Sequence, residues 1–324
     1  MIHRFDITAQ NAGERLDVFL TTEFPEMTRS LIAKLLRNGA GKVNGTKASV
    51  HRFLKEGEVV EFDDAVSKNK NQPEKKPVVQ KPLPKLKIIR ETADWLVINK
   101  PSGLMVHPDA NVEIGTLVDL LVAHDPAIAK IGEDPSRPGI MHRLDKDVSG
   151  LMVIAKTQDA YDHLKKQFAE HSVEKHYLAL VHGEVSHDEG DITFRIGRSS
   201  RGGRMAAIPT GSKEGKAART HYKVIKRFRG AGLVELEIFS GRTHQIRAHM
   251  HGLGHPVMGD SLYILRQTDR NVTVPRLLLQ SIVLGFTDPA TGTRERFTLP
   301  PDPAFDAVMK TFKPHEPKEQ KSDA

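Results

Sequence analysis

Apolar residues in the first 66 positions recur at three- and four-residue steps and then give way to alternation. Leu16, Phe19 and Leu20, following Arg15, predict an amphipathic helix that Pro25 closes. Thr28 is the expected N-cap of a second helix. Leu31, Ile32, Leu35 and Leu36 would form its apolar face, with Arg29, Lys34 and Arg37 outside. Gly39 and Gly41 end that helix. Val43, the Asn44-Gly45 turn, and Val59, Glu61 and Phe62 after a second turn at Glu56-Gly57 predict a short hairpin. Two helices and a small sheet in so few residues enclose a modest core, which suits an accessory binding module.

From Lys87 the pattern alternates strands and helices. Ile88-Ile89 and Trp95 to Ile98 predict strands, with a turn at Pro101-Ser102-Gly103. Leu117 to Ala123 predicts a short helix. Gly150 to Ala155 is a continuous apolar run, hence a buried strand, and Ala160, Leu164 and Phe168 share one face of the helix after it. Tyr177 to Val181, Thr220 to Ile225 and Val234 to Phe239 are further strands. These helices are too few for a doubly wound fold. The expected class is therefore α+β, with a mixed, mostly antiparallel central sheet and flanking helices beside the small N-terminal α+β module.

Residues 67–86 break this pattern. They hold four prolines and many lysines with almost nothing to bury, so they read as an extended basic linker. The expected organisation is a module over 1–66, the linker 67–86, a main domain over 87–312 and a polar tail over 313–324. The net charge is +7 over 324 residues, but it is concentrated. Residues 67–87 carry +6 and residues 198–229 carry +9, which leaves the remainder of the chain acidic. Local basicity of this kind suits the gripping of a polyanion. The absence of cysteine excludes disulfides, thiolate metal sites and Cys nucleophiles, and it is compatible with a reducing cytosol. Apolar stretches such as Leu151 to Ala155 are too short to span a bilayer, and the Met-Ile-His-Arg-Phe-Asp start lacks the layout of a secretion signal. A cytoplasmic, monomeric protein is expected, with no membrane, metal or cofactor.

Two segments concentrate chemistry. His142-Arg143-Leu144-Asp145-Lys146-Asp147-Val148-Ser149-Gly150 places ionisable groups against the start of a buried strand, a costly arrangement unless they are paired or used. Ser240-Gly241-Arg242-Thr243-His244-Gln245-Ile246-Arg247-Ala248-His249-Met250-His251, read as a helix, turns Ile246, Met250 and Leu253 to the core and His244, Arg247 and His251 to another face. A fixed arginine is the natural partner of a carboxylate that must stay ionised in a cleft.

These segments resemble the signature of the pseudouridine synthases that act on ribosomal RNA and some tRNAs. The resemblance rests on His142-Arg143-Leu144-Asp145 with Ser149-Gly150-Leu151 and Ala155-Lys156, on Asn99 to Gly103 with Val106-His107-Pro108, and on Glu174-Lys175-His176-Tyr177. It continues through Gly241 to Arg247, His255-Pro256, Gly259-Asp260 and Leu262-Tyr263, covering residues 87 to 305 in order. Gly139 to His142, Lys146-Asp147 and the single N-terminal module are most similar to members acting on the large ribosomal subunit. The departures are Val148, where Thr is usual, and Met141, where Val or Leu is common.

The resemblance implies that Asp145 is the essential aspartate, Tyr177 the residue stacked beneath the target base and Arg247 the partner of the aspartate. It implies structured RNA as partner, with large-subunit ribosomal RNA or a pre-ribosomal particle ahead of tRNA, and no cofactor. His142, Arg143, Arg242, His244 and Gln245 are expected at RNA, as are Arg198, Arg201 and Arg204 in the Gly-rich stretch. The N-terminal module is similar to one shared by a small-subunit ribosomal protein, tyrosyl-tRNA synthetases and RNA-modifying enzymes, through Arg15-Leu16-Asp17, Thr28-Arg29-Ser30 and Val43-Asn44-Gly45. That likeness points to Arg29, Ser30, Lys34 and Arg37 as contacts with RNA backbone. An ionised Asp145 can attack the sugar, remove a sugar proton or add to the ring, and the residues leave these roles open.

Rival readings find less support. Asp145 and Asp147 do not fix the separation a glycosidase pair requires. His244, His249 and His251 have no carboxylate at a metal-ligand spacing. Gly197 to Lys216 completes no phosphate loop, and the missing G-x-G-x-x-G counts against an RNA methyltransferase. The non-enzymatic rival is a ribosome-assembly factor that kept the fold and lost the chemistry. Retention of Asp145, Tyr177 and Arg247 argues against it.

Overall fold

The structure, a computed structural model, describes residues 1–27, 29–50, 52–64, 83–107, 115–199, 204–264 and 272–315, without the side chains of Arg29, Ser30 and Lys34. The expected N-cap Thr28, most of the linker, Arg201 and most of the tail lie outside these residues. The chain divides into two compact units, Met1–Lys81 and Pro82–Ala324.

In the first unit β1 (Ile2–Asp6) precedes the helices α1 (Leu16–Glu23) and α2 (Arg29–Arg37), and β2 (Gly41–Val43), β3 (Thr46–Lys47) and β4 (Val59–Asp63) follow. The sheet runs β1-β4-β2-β3. Asn44 and Gly45 both take positive φ, at 50° and 74°, so the Asn-Gly pair makes the tight turn between β2 and β3. Strand β1 was not foreseen. Its alternation is muted because Ile2 is largely exposed. Ile32, Leu35 and Leu36 are buried as the spacing requires, but Leu31 is 40% exposed, so the apolar stripe of α2 is one residue narrower than expected.

The second unit is built on β5 (Ile88–Glu91), β6 (Trp95–Lys100), α3 (Leu117–His124), β7 (Ser149–Ala155), α4 (Gln158–Ala169) and β8 (Glu174–His182). Strands β9 (Glu189–Ile192), β10 (Arg195–Arg198), β11 (Met205–Ile208), β12 (Thr220–Phe228) and β13 (Ala231–Ile238) come next. Helix α5 (Gln245–Gly252), strands β14 (Leu279–Thr287) and β15 (Arg294–Thr298) and helix α6 (Pro303–Met309) complete the unit. The main sheet has the order β5-β6-β7-β14-β8-β13-β12-β9, with β15 also on β14, while β10 and β11 form a separate ribbon. Among the described residues only the β7–β14 pairing is parallel. This is the mixed, mostly antiparallel α+β sheet that the pattern predicts. No helix among the described residues is long and apolar enough to cross a membrane.

The continuous apolar runs have a clear cause. In β7, Met152 and Ile154 enter one core while Leu151 and Val153 enter another. In β8, Ala179 and Val181 take the first face and Leu178 and Leu180 the opposite one. A strand covered on both sides has no polar face to show. Gly150 is the exception within β7. Its φ is 119°, and a Cβ there would meet the Ser281 carbonyl oxygen at 2.2 Å, so only glycine allows β14 to lie so close.

Candidate active site

The loop that enters β7 carries Asp145, and its backbone is fastened from several sides. Val148 N–H donates to the Asp145 carbonyl at 3.1 Å and Gly103 N–H to that of Lys146 at 2.9 Å. Ser102 Oγ donates to the Asp147 carbonyl at 2.6 Å. Lys100, wholly buried at the end of β6, donates from Nζ to the carbonyls of Pro101, Leu104 and Lys146 at 3.0, 2.8 and 3.0 Å. Burial pulls the Lys100 ammonium down to about 7 against the opposing charges of Asp147 and Asp145. The Asn99 to Gly103 segment thus acts as a clasp on the Asp145 loop.

Helix α5 brings the opposing charge. Gln245 secures its start. The Gln245 Oε1 accepts from Ser240 Oγ and Arg242 N–H at 2.7 and 3.1 Å, and Nε2 donates to Arg219 O and Thr220 Oγ1, both at 3.0 Å. Arg247 then reaches two carboxylates. Its Nε and Nη2 donate to Asp260 at 2.6 and 2.8 Å, and its Nη1 donates to Asp145 Oδ2 at 3.1 Å. The Asp260 side chain is fully buried and also accepts from the N–H groups of Leu262 and Tyr263 at 2.9 and 3.1 Å. Burial opposes the charge on Arg247, but the Asp260 carboxylate and then Asp145 outweigh it and hold the guanidinium above its ordinary pKa. The ring of Tyr263 lies 5.1 Å from the guanidinium carbon.

Tyr177 closes the cleft from β8. It is 7% exposed and stands opposite buried Ser281 in the β8–β14 pairing, and burial followed by the charge of Asp145 pushes the phenol well above its ordinary pKa. His244 adopts the left-handed backbone, φ 54°, unusual outside glycine, at the N-terminal boundary of α5. That turn aims its ring at the cleft, with Nε2 3.7 Å from Asp145 Oδ2 and Nδ1 3.1 Å from the Tyr263 hydroxyl. Burial lowers its pKa although Asp145 works to raise it. Asp145, Tyr177, His244 and Arg247 therefore line one cleft of about 560 Å³, open mouth included, with Leu144, Val148, Ile238 and Leu279 as apolar wall. A carboxylate held by a guanidinium beside a flat aromatic ring and apolar surface can receive an uncharged ring and place an anionic oxygen against it.

The other expected residues divide. Arg143 and Arg242 line the mouth of the same cleft. Arg143 Nη1 donates to His107 Nε2 at 2.6 Å and Arg242 Nε to the Ala217 carbonyl at 3.2 Å. Of the two other residues expected at RNA, His142 lines the neighbouring cavity with its Nε2 engaged within the fold, and Gln245 has both amide atoms engaged there. His142 stacks on Phe168 at 4.5 Å, and its Nε2 accepts from Val153 N–H at 3.1 Å. Gln245 is 4% exposed with both amide atoms used as above. Arg198 is exposed at the end of β10, Arg204 donates to the Leu262 carbonyl at 3.0 Å, and Arg37 is exposed on α2. Within α5, Ile246 and Met250 are buried, whereas Leu253 is 36% exposed because it falls just beyond the last helical residue. Asp260 and Lys100 carry parts of the site for which no role was read in the sequence. The hint for the first was its place in the Gly259-Asp260 motif.

Comparison with known proteins identifies the family. Residues 94–252 match the family model described as RNA pseudouridylate synthase. The chain is 36% identical over 301 residues to an uncharacterized RNA pseudouridine synthase of Bacillus subtilis (strain 168), covering 92% of this chain and 95% of that one. It is 35% identical over 308 residues to the ribosomal large subunit pseudouridine synthase D of Pseudomonas aeruginosa, covering 91% of each. Among solved structures, human RNA pseudouridylate synthase domain containing 1 is similar with a TM-score of 0.56 at 28% identity, over 71% of this chain and 89% of that chain. The chain belongs to the RNA pseudouridylate synthase family, and its activity is the isomerisation of uridine to pseudouridine in RNA.

Proposed function

We propose that this enzyme modifies uridines of large-subunit ribosomal RNA and that Asp145 is its catalytic carboxylate. The observation that carries the second part is the 3.1 Å bond from Arg247 to Asp145 in an apolar cleft faced by Tyr177. In the reaction the bond between ribose carbon one and uracil nitrogen one breaks, the base turns, and ring carbon five joins the same sugar carbon. Carbon five loses a proton and nitrogen one gains one, so atoms and charge balance without a donor or an oxidant. An ionised Asp145 serves attack on the sugar, removal of a sugar proton or addition to the ring. Arg247 steadies it, and Tyr177 supplies the face for the base and a hydroxyl near the departing proton. Extrusion of the uridine from folded RNA costs a few kcal/mol, which contacts with phosphate and stacked rings offset.

The ribosomal substrate is supported by the likeness to large-subunit synthase D proteins of Pseudomonas aeruginosa and Neisseria meningitidis, both aligned over 91% of this chain. In this reading residues 1–66 act as an RNA-binding module, with Arg29, Ser30, Lys34 and Arg37 on RNA backbone. The basic linker 67–86 ties it to the catalytic domain 87–312. Arg143 and Arg242 at the cleft, with Arg198, Arg201 and Arg204 from the Gly-rich stretch, contact RNA in the same reading. The test maps pseudouridine chemically in ribosomal RNA and tRNA from cells lacking the protein, from the wild type and from an Asp145→Asn strain. Specific large-subunit sites should vanish in the first and third strains, with activity down on the order of 10⁴-fold or more while the mutant still binds RNA. Restoration by Asp145→Asn would remove Asp145 from the chemistry. Loss confined to tRNA would move the substrate.

A further inference from the structure

A second cavity adjoins the cleft and shares Tyr177 and Arg143 with it. It is larger, about 890 Å³ with its open mouth, and its lining differs in kind. Arg137, Arg143 and Lys175 face it, with His107, His142 and His171, and among the described residues the lining contains no Asp or Glu. Lys175 is 7% exposed, yet among the described residues its Nζ makes no hydrogen bond and no ion pair. Its one close partner is the ring of Phe168, 5.5 Å away. Arg137 does have an anionic partner, Asp134 at 3.1 Å, but both are half-exposed and Asp134 is not part of the lining. A largely enclosed ammonium without an anion is unfavourable, and burial duly pulls Lys175 below its ordinary pKa.

We propose that this cavity binds a backbone phosphodiester of the RNA substrate beside the target uridine, with Lys175 as its main contact. Position argues for it. Lys175 precedes Tyr177 by two residues on β8, so the two side chains share one face of the strand, roughly 7 Å apart. The phosphodiesters flanking any internal nucleotide are attached directly to its ribose oxygens. A base seated on Tyr177 therefore carries a phosphate to a group placed where Lys175 is. The phosphate would supply the missing anion, and the apolar stem of Lys175 together with Phe168 would keep the ammonium fixed meanwhile. His142 has no proton to offer at Nε2, since that atom accepts from Val153, so charge in the cavity comes from Lys175 and the two arginines.

This inference rests on the cleft being where uridine reacts, and the experiment separates the two. Full-length enzyme is given RNA stem-loops that contain the mapped target and one neutral methylphosphonate linkage, moved stepwise past the uridine. Binding and turnover are both measured. With wild-type enzyme, one linkage next to the target should raise Kd and KM about tenfold or more, the scale of one charge-assisted hydrogen bond. Lys175→Met should bring the same loss on unmodified RNA, carried by Kd and KM, and show no further loss at that linkage. Its melting midpoint should equal or exceed that of the wild type, because a buried charge is replaced by an apolar chain of similar length. A Lys175→Met enzyme that keeps wild-type affinity, or that loses as much as the wild type at the same linkage, would overturn the assignment. So would equal losses at every linkage, which mark general attraction only. If the wild type makes no pseudouridine in any RNA, the catalytic reading fails instead, while the binding profile still decides whether a phosphate sits against Lys175.

Discussion

The cleft around Arg247 and the cavity beside Lys175 share a wall but treat buried charge in opposite ways. In the cleft the guanidinium is given two carboxylates, and the fully buried one, Asp260, is itself tied to two backbone N–H groups. Asp260 takes two of the arginine's bonds and Asp145 only one. The division assigns the work. Asp260 fixes the arginine, and Asp145, 20% exposed, keeps an oxygen free of it, as its proposed catalytic role requires. In the cavity the ammonium of Lys175 has an aromatic face and, among the described residues, no anion. A site that must hold one geometry is closed electrostatically in advance, whereas a site that must receive a charged group is left one charge short.

The largest effect that can break this contrast is expected at Arg247. Arg247→Met would leave Asp260 buried with its two backbone donors and no counter-charge, at a cost of about 3–5 kcal/mol in unfolding free energy. Activity should fall with it. Adding Asp260→Leu should restore much of the stability in urea unfolding and none of the activity, since Asp145 would still lack its partner. A single Arg247→Met as stable as the wild type would show that Asp260 does not depend on the arginine. Next in size is Tyr177→Phe. It keeps the ring on both the cleft and the cavity and removes only the hydroxyl. Stability should change by about 1 kcal/mol or less. If the hydroxyl handles the proton leaving carbon five, kcat should fall about 10²-fold with KM little changed. A rise in KM alone would make the tyrosine purely a platform.

Much of this arrangement was legible in sequence, and the gaps have physical causes. Strands β6, β7 and β8 announced themselves because burial on both faces leaves an unbroken apolar run. The pairing of Asp145 with Arg247 was readable as complementary charge between two dense segments. Strand β15, Arg-Glu-Arg-Phe-Thr, was not, since it alternates between exposed and half-buried positions and so carries little hydrophobic signal. Leu31 and Leu253 went the other way. Periodicity finds the centre of an apolar stripe but does not set its width or the residue at which a helix stops. Lys100 and Lys175 illustrate a deeper limit. A lysine at the edge of a strand normally reaches solvent, and only the folded backbone shows that one is capped by three carbonyls and the other points into a cavity.

The smallest effect tests the cavity through His142. Burial and the nearby charge of Lys175 push its pKa from about 6.5 down to about 3. The hydrogen bond from Val153 N–H works in the same direction, since Nε2 can accept it only while unprotonated. A base whose folded pKa lies below its unfolded one leaves the unfolded chain holding the extra proton. Its contribution to stability is therefore complete above pH 6.5 and is lost as pH falls towards 3, by about 1.4 kcal/mol per unit once the unfolded imidazole is charged. Gln at this position can still accept from Val153 but does not titrate, so His142→Gln should flatten the acid side of a stability profile measured between pH 6.5 and pH 4. The comparison sharpens when an anion is present. A phosphodiester against Lys175 would cancel part of the repulsion on His142 and ease its protonation, so bound RNA should shift the imidazole titration upward in the wild type and less in Lys175→Met. If the acid slope of His142→Gln matches that of the wild type, the ring is not held neutral by its surroundings, and the cavity is less hostile to added positive charge than its lining implies.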